Sequence, residues 1–206
     1  DGILAAWDAI TLTNIWARAV GDDADATILV EPKIGEVGAY LYVGNEVDHR
    51  GEASATNLRK IDALTGEQLW QYDVPTIYDE VTNGGLVASP MLGAGQAAGL
   101  VIFNVAKTGG FSGLLVALDT VTGEVRWSRT LPNYSWSSPL GIMADDGTQY
   151  GILCDAAGVM HLFDPATGTD FDTLAIGGNT EASPAAFGDM IVVANYSQKI
   201  YGIRLT

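Results

Sequence analysis

Apolar residues along this chain fall in short runs bounded by Gly, Asn or Asp. The clearest are "AYLYVG" (39–44), "LVIFNV" (100–105), "GLLVALD" (113–119), "YGILCD" (150–155), "MIVVANY" (190–196) and "KIYGIRL" (199–205). They are rich in β-branched and aromatic side chains, which pack well on a pleated surface, so they read as strands. "ADDGTQ" (144–149) adds an Asp-Gly hairpin signal. No amphipathic stretch is long enough to predict a helix.

The strands recur in a fixed pattern. "LDTVTGEVRW" (118–127) pairs Asp119 with Thr122, Gly123 and Trp127, and "IDALTGEQLW" (61–70) places Asp62, Thr65, Gly66 and Trp70 at the same spacing. "FDPATGTDFD" keeps Asp164, Thr167 and Gly168 but has Asp172 in place of the Trp, and "WDAITLTNIW" keeps Asp8, Thr11 and Trp16 but has Leu12 in place of the Gly. A second marker alternates with the first: Ser-Pro ending at Pro90, Pro139 and Pro184, with a degenerate "VEP" at Pro32. The Asp anchors lie 54, 57 and 45 residues apart. Self-similarity at this period marks a repeat array.

Each repeat resolves into four strands, A to D. In the best copy they are about 86–92, 99–105, 113–119 and 124–130. Four short antiparallel strands per unit is the content of a β-propeller blade. The expected architecture is all-β, with a blade fragment at 1–20, blades at 27–72, 86–130 and 136–174, and a final blade at 180–206. Strand C occurs five times and strand D four times, so the C strand at 3–8 is surplus to a closed four-bladed ring. The expectation is a partial ring, the C-terminal part of a larger propeller of seven or eight blades, whose open edges could self-associate.

The 206 residues are 48% hydrophobic, enough for a sizeable core. No apolar run approaches the roughly 18 residues of a membrane helix, so direct membrane insertion is not expected. Ten Lys and Arg against 25 Asp and Glu give a formal charge of −15, which argues against nucleic acid as a partner. The single cysteine rules out an internal disulfide.

"ALDTVTGEVRW" (117–127) resembles the Ala-x-Asp-x-x-Thr-Gly-x-x-x-Trp docking motif of the quinoprotein-type, PQQ-like propeller repeats. The resemblance covers essentially the whole chain. It implies that Trp16, Trp70 and Trp127 pack between adjacent blades against the neighbouring turn, and that Asp172 cannot. It also implies an extracytoplasmic protein. The group contains PQQ-dependent alcohol dehydrogenases and non-enzymatic, BamB-like members. The enzymes hold PQQ beside Ca²⁺ and use a vicinal cysteine pair, a Glu/Asn calcium set and a catalytic Asp.

The chain has no Cys-Cys pair. Cys154, in a B strand, reads as a small core residue. His161, in a C strand, reads as a packing residue, and no metal-ligand spacing joins it to His49. Asp22, Asp23 and Asp25 match no calcium-loop spacing and read as a solvated acidic loop. The loops are more informative. Segments 45–56, 75–85, 104–113 and 132–137 all emerge on one face, opposite the uniform Thr-Gly turns. They carry His49, Arg50, Tyr78, Asp79, Lys107, Phe111, Tyr134 and Trp136. Long loops on a rigid scaffold are where binding usually resides, and Tyr, Trp and Arg are common anchors. The expected function is a non-catalytic binding or scaffold module for a protein or glycan, with no cofactor. The alternative is a fragment of a PQQ-dependent oxidoreductase, in which PQQ and Ca²⁺ would enter.

Overall fold

The computed structural model describes residues 2–48, 55–78 and 82–205. Outside its one single-turn 3-10 helix, Gly95–Ala97, all regular structure among these residues is strand. β1 (Ile3–Trp7) and β2 (Asn14–Ala19) form an isolated antiparallel hairpin. β3 (Leu29–Pro32), β4 (Ala39–Val43), β6 (Ala55–Asp62) and β7 (Gln68–Pro75) form a four-stranded sheet in that order, with β5 (Glu46–Val47) in its β4–β6 connection.

The next sheet is built on β10 (Leu100–Gly109), β11 (Ser112–Asp119) and β12 (Val125–Leu131). β10 also pairs with β8 (Gly84–Gly85) and β9 (Met91–Leu92), and β8 reaches back to β5. β13 (Leu140–Met143), β14 (Gln149–Cys154), β15 (Val159–Phe163) and β16 (Asp170–Ala175) make a second complete four-stranded meander. β17 (Ala185–Phe187), β18 (Met190–Asn195) and β19 (Lys199–Arg204) make a last sheet of three. The chain is thus an all-β array of antiparallel propeller blades.

Two expected elements differ. Strand A of the third unit is only Met91–Leu92, because the Ser-Pro marker before it spends its polar groups on the neighbouring blade. Segment 104–113 is not a long loop: β10 runs to Gly109 and β11 starts at Ser112, with a register shift between Val105 and Gly109. Lys107 sits in that irregularity at φ 59°, a left-handed conformation that is uncommon for a side-chain-bearing residue.

The core is divided among the seams. Leu4, Trp16 and Val20 of the first hairpin pack with Val43 and Ile61. Tyr42, Leu58, Trp70 and Val74 pack with Val101, Phe103, Val116 and Leu118. Ile102, Leu115 and Leu131 meet Leu153 and Phe163, and Ile152, Cys154 and Met160 meet Ile191 and Val193. Among the described residues, no core cluster joins the first hairpin to the last sheet.

One device repeats at three seams. Trp16 Nε1 donates to the carbonyl of Ala63, Trp70 to that of Thr120 and Trp127 to that of Pro165, at 3.0, 3.2 and 3.0 Å. Each acceptor directly follows the motif Asp of the next blade. Asp62 Oδ1 accepts from the N–H groups of Leu64 and Thr65, and Asp119 Oδ1 from those of Val121 and Thr122. Asp8 holds its own turn in the same way, while Asp164 Oδ1 accepts from the Ala166 N–H and Asp164 Oδ2 from the Thr167 hydroxyl. Gly66, Gly123 and Gly168 lie at φ 68°, 74° and 75°, and the docked indole covers the spot where a Cβ would stand. Trp16 and Trp70 are buried and Trp127 half-buried. The Ser-Pro markers link the seams again: Ser89 N–H donates to Ser138 Oγ, and Ser138 N–H to Ser183 Oγ, both at 3.0 Å.

Candidate functional site

The face opposite the Thr-Gly turns gathers four of the residues singled out in the sequence. Lys107 is buried, with its Nζ 5.2 Å from the Phe111 ring centroid and 5.7 Å from that of Tyr134. Tyr134 and Trp136 stack at 5.7 Å between centroids, tilted by 52°. Phe111 is exposed, while Tyr134 and Trp136 are half-buried. Tyr78 lies at the margin: the preceding residue, Ile77, donates its N–H to the Lys107 carbonyl at 2.8 Å. His49, Arg50 and Asp79 lie outside the described residues.

The aromatic loop is held from below. Asn104 is fully buried on β10, and its amide donates to the carbonyls of Ser135 and Ser137 at 3.1 and 2.9 Å. Ser135 Oγ donates to the Cys154 carbonyl. Tyr134 and Trp136 therefore project from a clamped backbone. Sequence reasoning missed Asn104, because an Asn inside an apolar run carries no signal of what its amide reaches.

Beside the aromatics lies an acidic group. Trp136 Nε1 donates to the Asn83 carbonyl at 3.2 Å, and the Asn83 amide donates to Glu46 Oε2 and Asp48 Oδ2 at 2.8 and 3.2 Å. Glu46 is almost fully buried. Burial, together with the charges of Asp25 and Asp48, pushes its carboxyl up to about 7, against the hydrogen bond from Asn83. Asp22, read from sequence as solvated, is buried and accepts the Asp48 N–H at 3.2 Å. Among the described residues, no three His, Cys, Asp or Glu side chains are arranged to hold a metal ion. Cys154 is buried, and burial pushes its thiol up to about 12.

Tyr196, not singled out in the sequence, extends the aromatic row onto the last sheet. Its hydroxyl donates to Glu181 Oε2 at 2.7 Å, which raises its titration above the ordinary tyrosine value, with a smaller contribution from Tyr134. A shallow groove of about 460 Å³ opens there between Glu181, Ala194, Asn195 and Gln198. A larger groove, about 610 Å³, runs between Ile142–Asp145 and Gly188–Asp189, on the far side from the aromatics. His161 is an interior residue: Nδ1 lies 3.0 Å from Asp170 Oδ2, whose other oxygen lies beside Arg129.

The profile of the PQQ_2 family, described as outer membrane protein assembly factor BamB, matches residues 1–173. The chain belongs to this family. BamB from Moraxella catarrhalis superimposes with a TM-score of 0.64 at 19% identity, over 98% of this chain and 56% of that one. BBS1N, solved in complex with ARL6DN, gives 0.63 at 16% identity, over 100% and 59%. The dehydrogenase subunit of a quinone-type alcohol dehydrogenase from Gluconacetobacter polyoxogenes is 37% identical over 76 residues, 36% of this chain and 10% of its own length. The chain thus spans a little over half of these two solved structures, and its match covers a tenth of the dehydrogenase subunit.

Proposed function

We propose that this BamB-family chain is a binding module that engages a protein through the face built by Lys107, Phe111, Tyr134 and Trp136. The observation that carries the reading is the clamp. Asn104 and Ser135 fix the backbone on which two half-buried aromatic rings stand, so little conformational entropy is lost when a partner covers them. Tyr196 and the Glu46–Asp48 group border the rings. The formal charge of −15 steers neutral or basic partners towards such a face. An extracytoplasmic setting accords with the family description.

The competing reading is a quinoprotein oxidoreductase, favoured by the 37% identity to the dehydrogenase subunit. Against it stand a lone, buried cysteine and the lack of a metal-holding acidic set among the described residues. One experiment separates the two. The chain is titrated with neutral and lysine-rich peptides, with oligosaccharides, and with PQQ plus Ca²⁺ followed by dye-linked alcohol oxidation. Peptide binding that falls at least tenfold in Trp136→Ala and Tyr134→Ala, but not in Thr65→Ala on the opposite face, is expected. Oligosaccharide binding in place of peptide would move the partner class to glycans. PQQ uptake with alcohol-dependent turnover would overturn the binding reading.

A further inference from the structure

His161 stands between two carboxylates inside the seam that joins the β10 sheet to the β13–β16 meander. Phe163, two positions along β15, packs there with Leu115 and Leu131, and residues two apart on a strand share a face. The His161 ring is buried. Its Nδ1 lies 3.0 Å from Asp170 Oδ2 on β16, and its Nε2 lies 3.6 Å from Asp155 Oδ2, just past the end of β14. β12 contributes Arg129, whose guanidinium is ion-paired with the other oxygen of Asp170. Among the described residues, Asp155, Asp170 and Arg129 are the charged groups that act on the ring.

The two carboxylates are not equivalent. Asp170 is also neutralised by Arg129, and it is partly exposed. Asp155 is only 2% exposed, and its Oδ1 is committed to the N–H groups of Ala157 and Val159 at 3.0 and 2.9 Å, which it holds in a turn. Its Oδ2 faces the His161 ring, and a buried carboxylate is tolerable only while it is paired. Protonated, the ring donates from Nδ1 to Asp170 and presents Nε2–H to Asp155. Neutral, it keeps one N–H, and the 3.0 Å contact with Asp170 claims it. Nε2 then turns a lone pair towards Asp155, so two acceptors face each other and a buried charge has lost its counter-ion. Burial disfavours the imidazolium, but Asp155 and Asp170 outweigh burial and Arg129, so the ring titrates above the ordinary histidine value of 6.5.

The turn that Asp155 holds supports the aromatic loop. Ala156 donates its N–H to the Tyr134 carbonyl at 2.9 Å, and Ser135 Oγ donates to the carbonyl of Cys154, next to Asp155. We infer that His161 is a positioning residue for the aromatic loop: its proton braces the 155–159 turn beneath Tyr134, and loss of that proton loosens turn and loop together. A raised histidine stabilises fully below the unfolded value of about 6.5, and that stabilisation is lost as pH rises through the ring's own titration. The loop is therefore firm in mild acid and loose in mild alkali. That a loose loop binds a partner less tightly rests on the binding reading above; the brace itself does not.

The brace is read by nuclear magnetic resonance on the 206-residue chain, without any partner, from about pH 5.5 to 9. One inflection above 6.5 is expected, shared by the His161 ring and the amides of Ala156, Ser135 and Trp136. Across it, the exchange protection of the Ala156 amide, corrected for the intrinsic rate, should fall about fivefold. Asp155→Asn keeps an acceptor for Ala157 and Val159, removes the charge and offers its amide to the neutral ring, so it should abolish the fall. His161→Gln should leave the loop loose at every pH. Glu46 also titrates beside the loop, reaching Trp136 through Asn83, so Glu46→Gln is the control and should leave the fall in place. A His161 titration that Ala156 and Trp136 do not follow would overturn the inference. So would a ring titrating at or below 6.5, or an undiminished fall in Asp155→Asn. In a separate arm, the peptides used to test the binding face are titrated at both ends of the pH range. Weaker binding at high pH in the native chain, but not in Asp155→Asn, is expected, and equal affinity at both ends would refute the link from brace to binding. If no peptide binds at any pH while Ala156 still follows His161, the binding reading falls and the brace stands.

Discussion

The seams make a quantitative prediction at Gly123. Its φ of 74° costs a side-chain-bearing residue about 1–2 kcal/mol. A Cβ there would also stand 2.8 Å from Cγ and Cδ2 of Trp70, inside any tolerable contact, and overpacking of this kind adds about 1–3 kcal/mol. Gly123→Ala should therefore destabilise the chain by about 2–5 kcal/mol. Gly177 is the control: its φ is 70°, but nothing lies within 4 Å of the added Cβ, so Gly177→Ala should cost only about 1–2 kcal/mol, the backbone share. Trp70→Ala should cost about 3–5 kcal/mol as a buried aromatic truncation. In the double variant the clash has no partner, so the combined loss should fall short of the sum by about 1–3 kcal/mol. Urea unfolding followed by far-ultraviolet circular dichroism gives each value from the midpoint and slope. If Gly123→Ala costs no more than Gly177→Ala, or if the two seam substitutions simply add, the indole does not rest on that glycine and the docking account fails.

Three further outcomes follow from the site. Asn104→Ala leaves the buried carbonyls of Ser135 and Ser137 without their donor; it should cost about 2–3 kcal/mol and loosen Trp136, seen as a red-shifted, more quenchable fluorescence, and an unchanged spectrum would refute the clamp. Glu46 titrates near 7 in the fold against an ordinary value of 4.5, so across that window the folded chain keeps a proton that the unfolded chain has released. Stability should therefore fall as pH rises from about 4.5 to 7, by at most about 1.4 kcal/mol per pH unit, and Glu46→Gln should flatten the profile; an equally steep profile in the variant would exclude Glu46 as its source. Cys154, buried with its thiol pushed up to about 12, should react with a thiol reagent only at the rate of opening, so fast labelling of the native chain at pH 8 would show that its strand is not closed.

The array was legible in the sequence because its information is local. Asp62, Thr65 and Gly66 build one turn within five residues, and Trp70 follows four positions later on the strand that turn starts. What was not legible depends on distance. Asn104 acts on a loop some thirty residues away, and Glu46 is buried by a bridge to Gly85 that neither segment announces. The hairpin from β10 to β11 looked like a loop because "KTGGFSG" has turn composition, yet pairing carries β10 to Gly109 with Lys107 absorbing the irregularity. The Ser-Pro markers were visible as a rhythm, but their hydroxyls' targets are backbone groups of other blades.

The receiving end of each indole is a main-chain carbonyl, and the three residues that supply it are Ala63, Thr120 and Pro165. Three such unlike side chains can serve because none of them is read. A blade needs only its own acid and glycine to be acceptable to whatever precedes it, and only its own tryptophan to be acceptable to whatever follows. Adjacent units then have no private vocabulary to keep in step, so a duplicated, deleted or transplanted unit arrives already able to dock. Genes built this way can change length by whole blades, while the connections between 45 and 57 residues of anchor spacing drift freely.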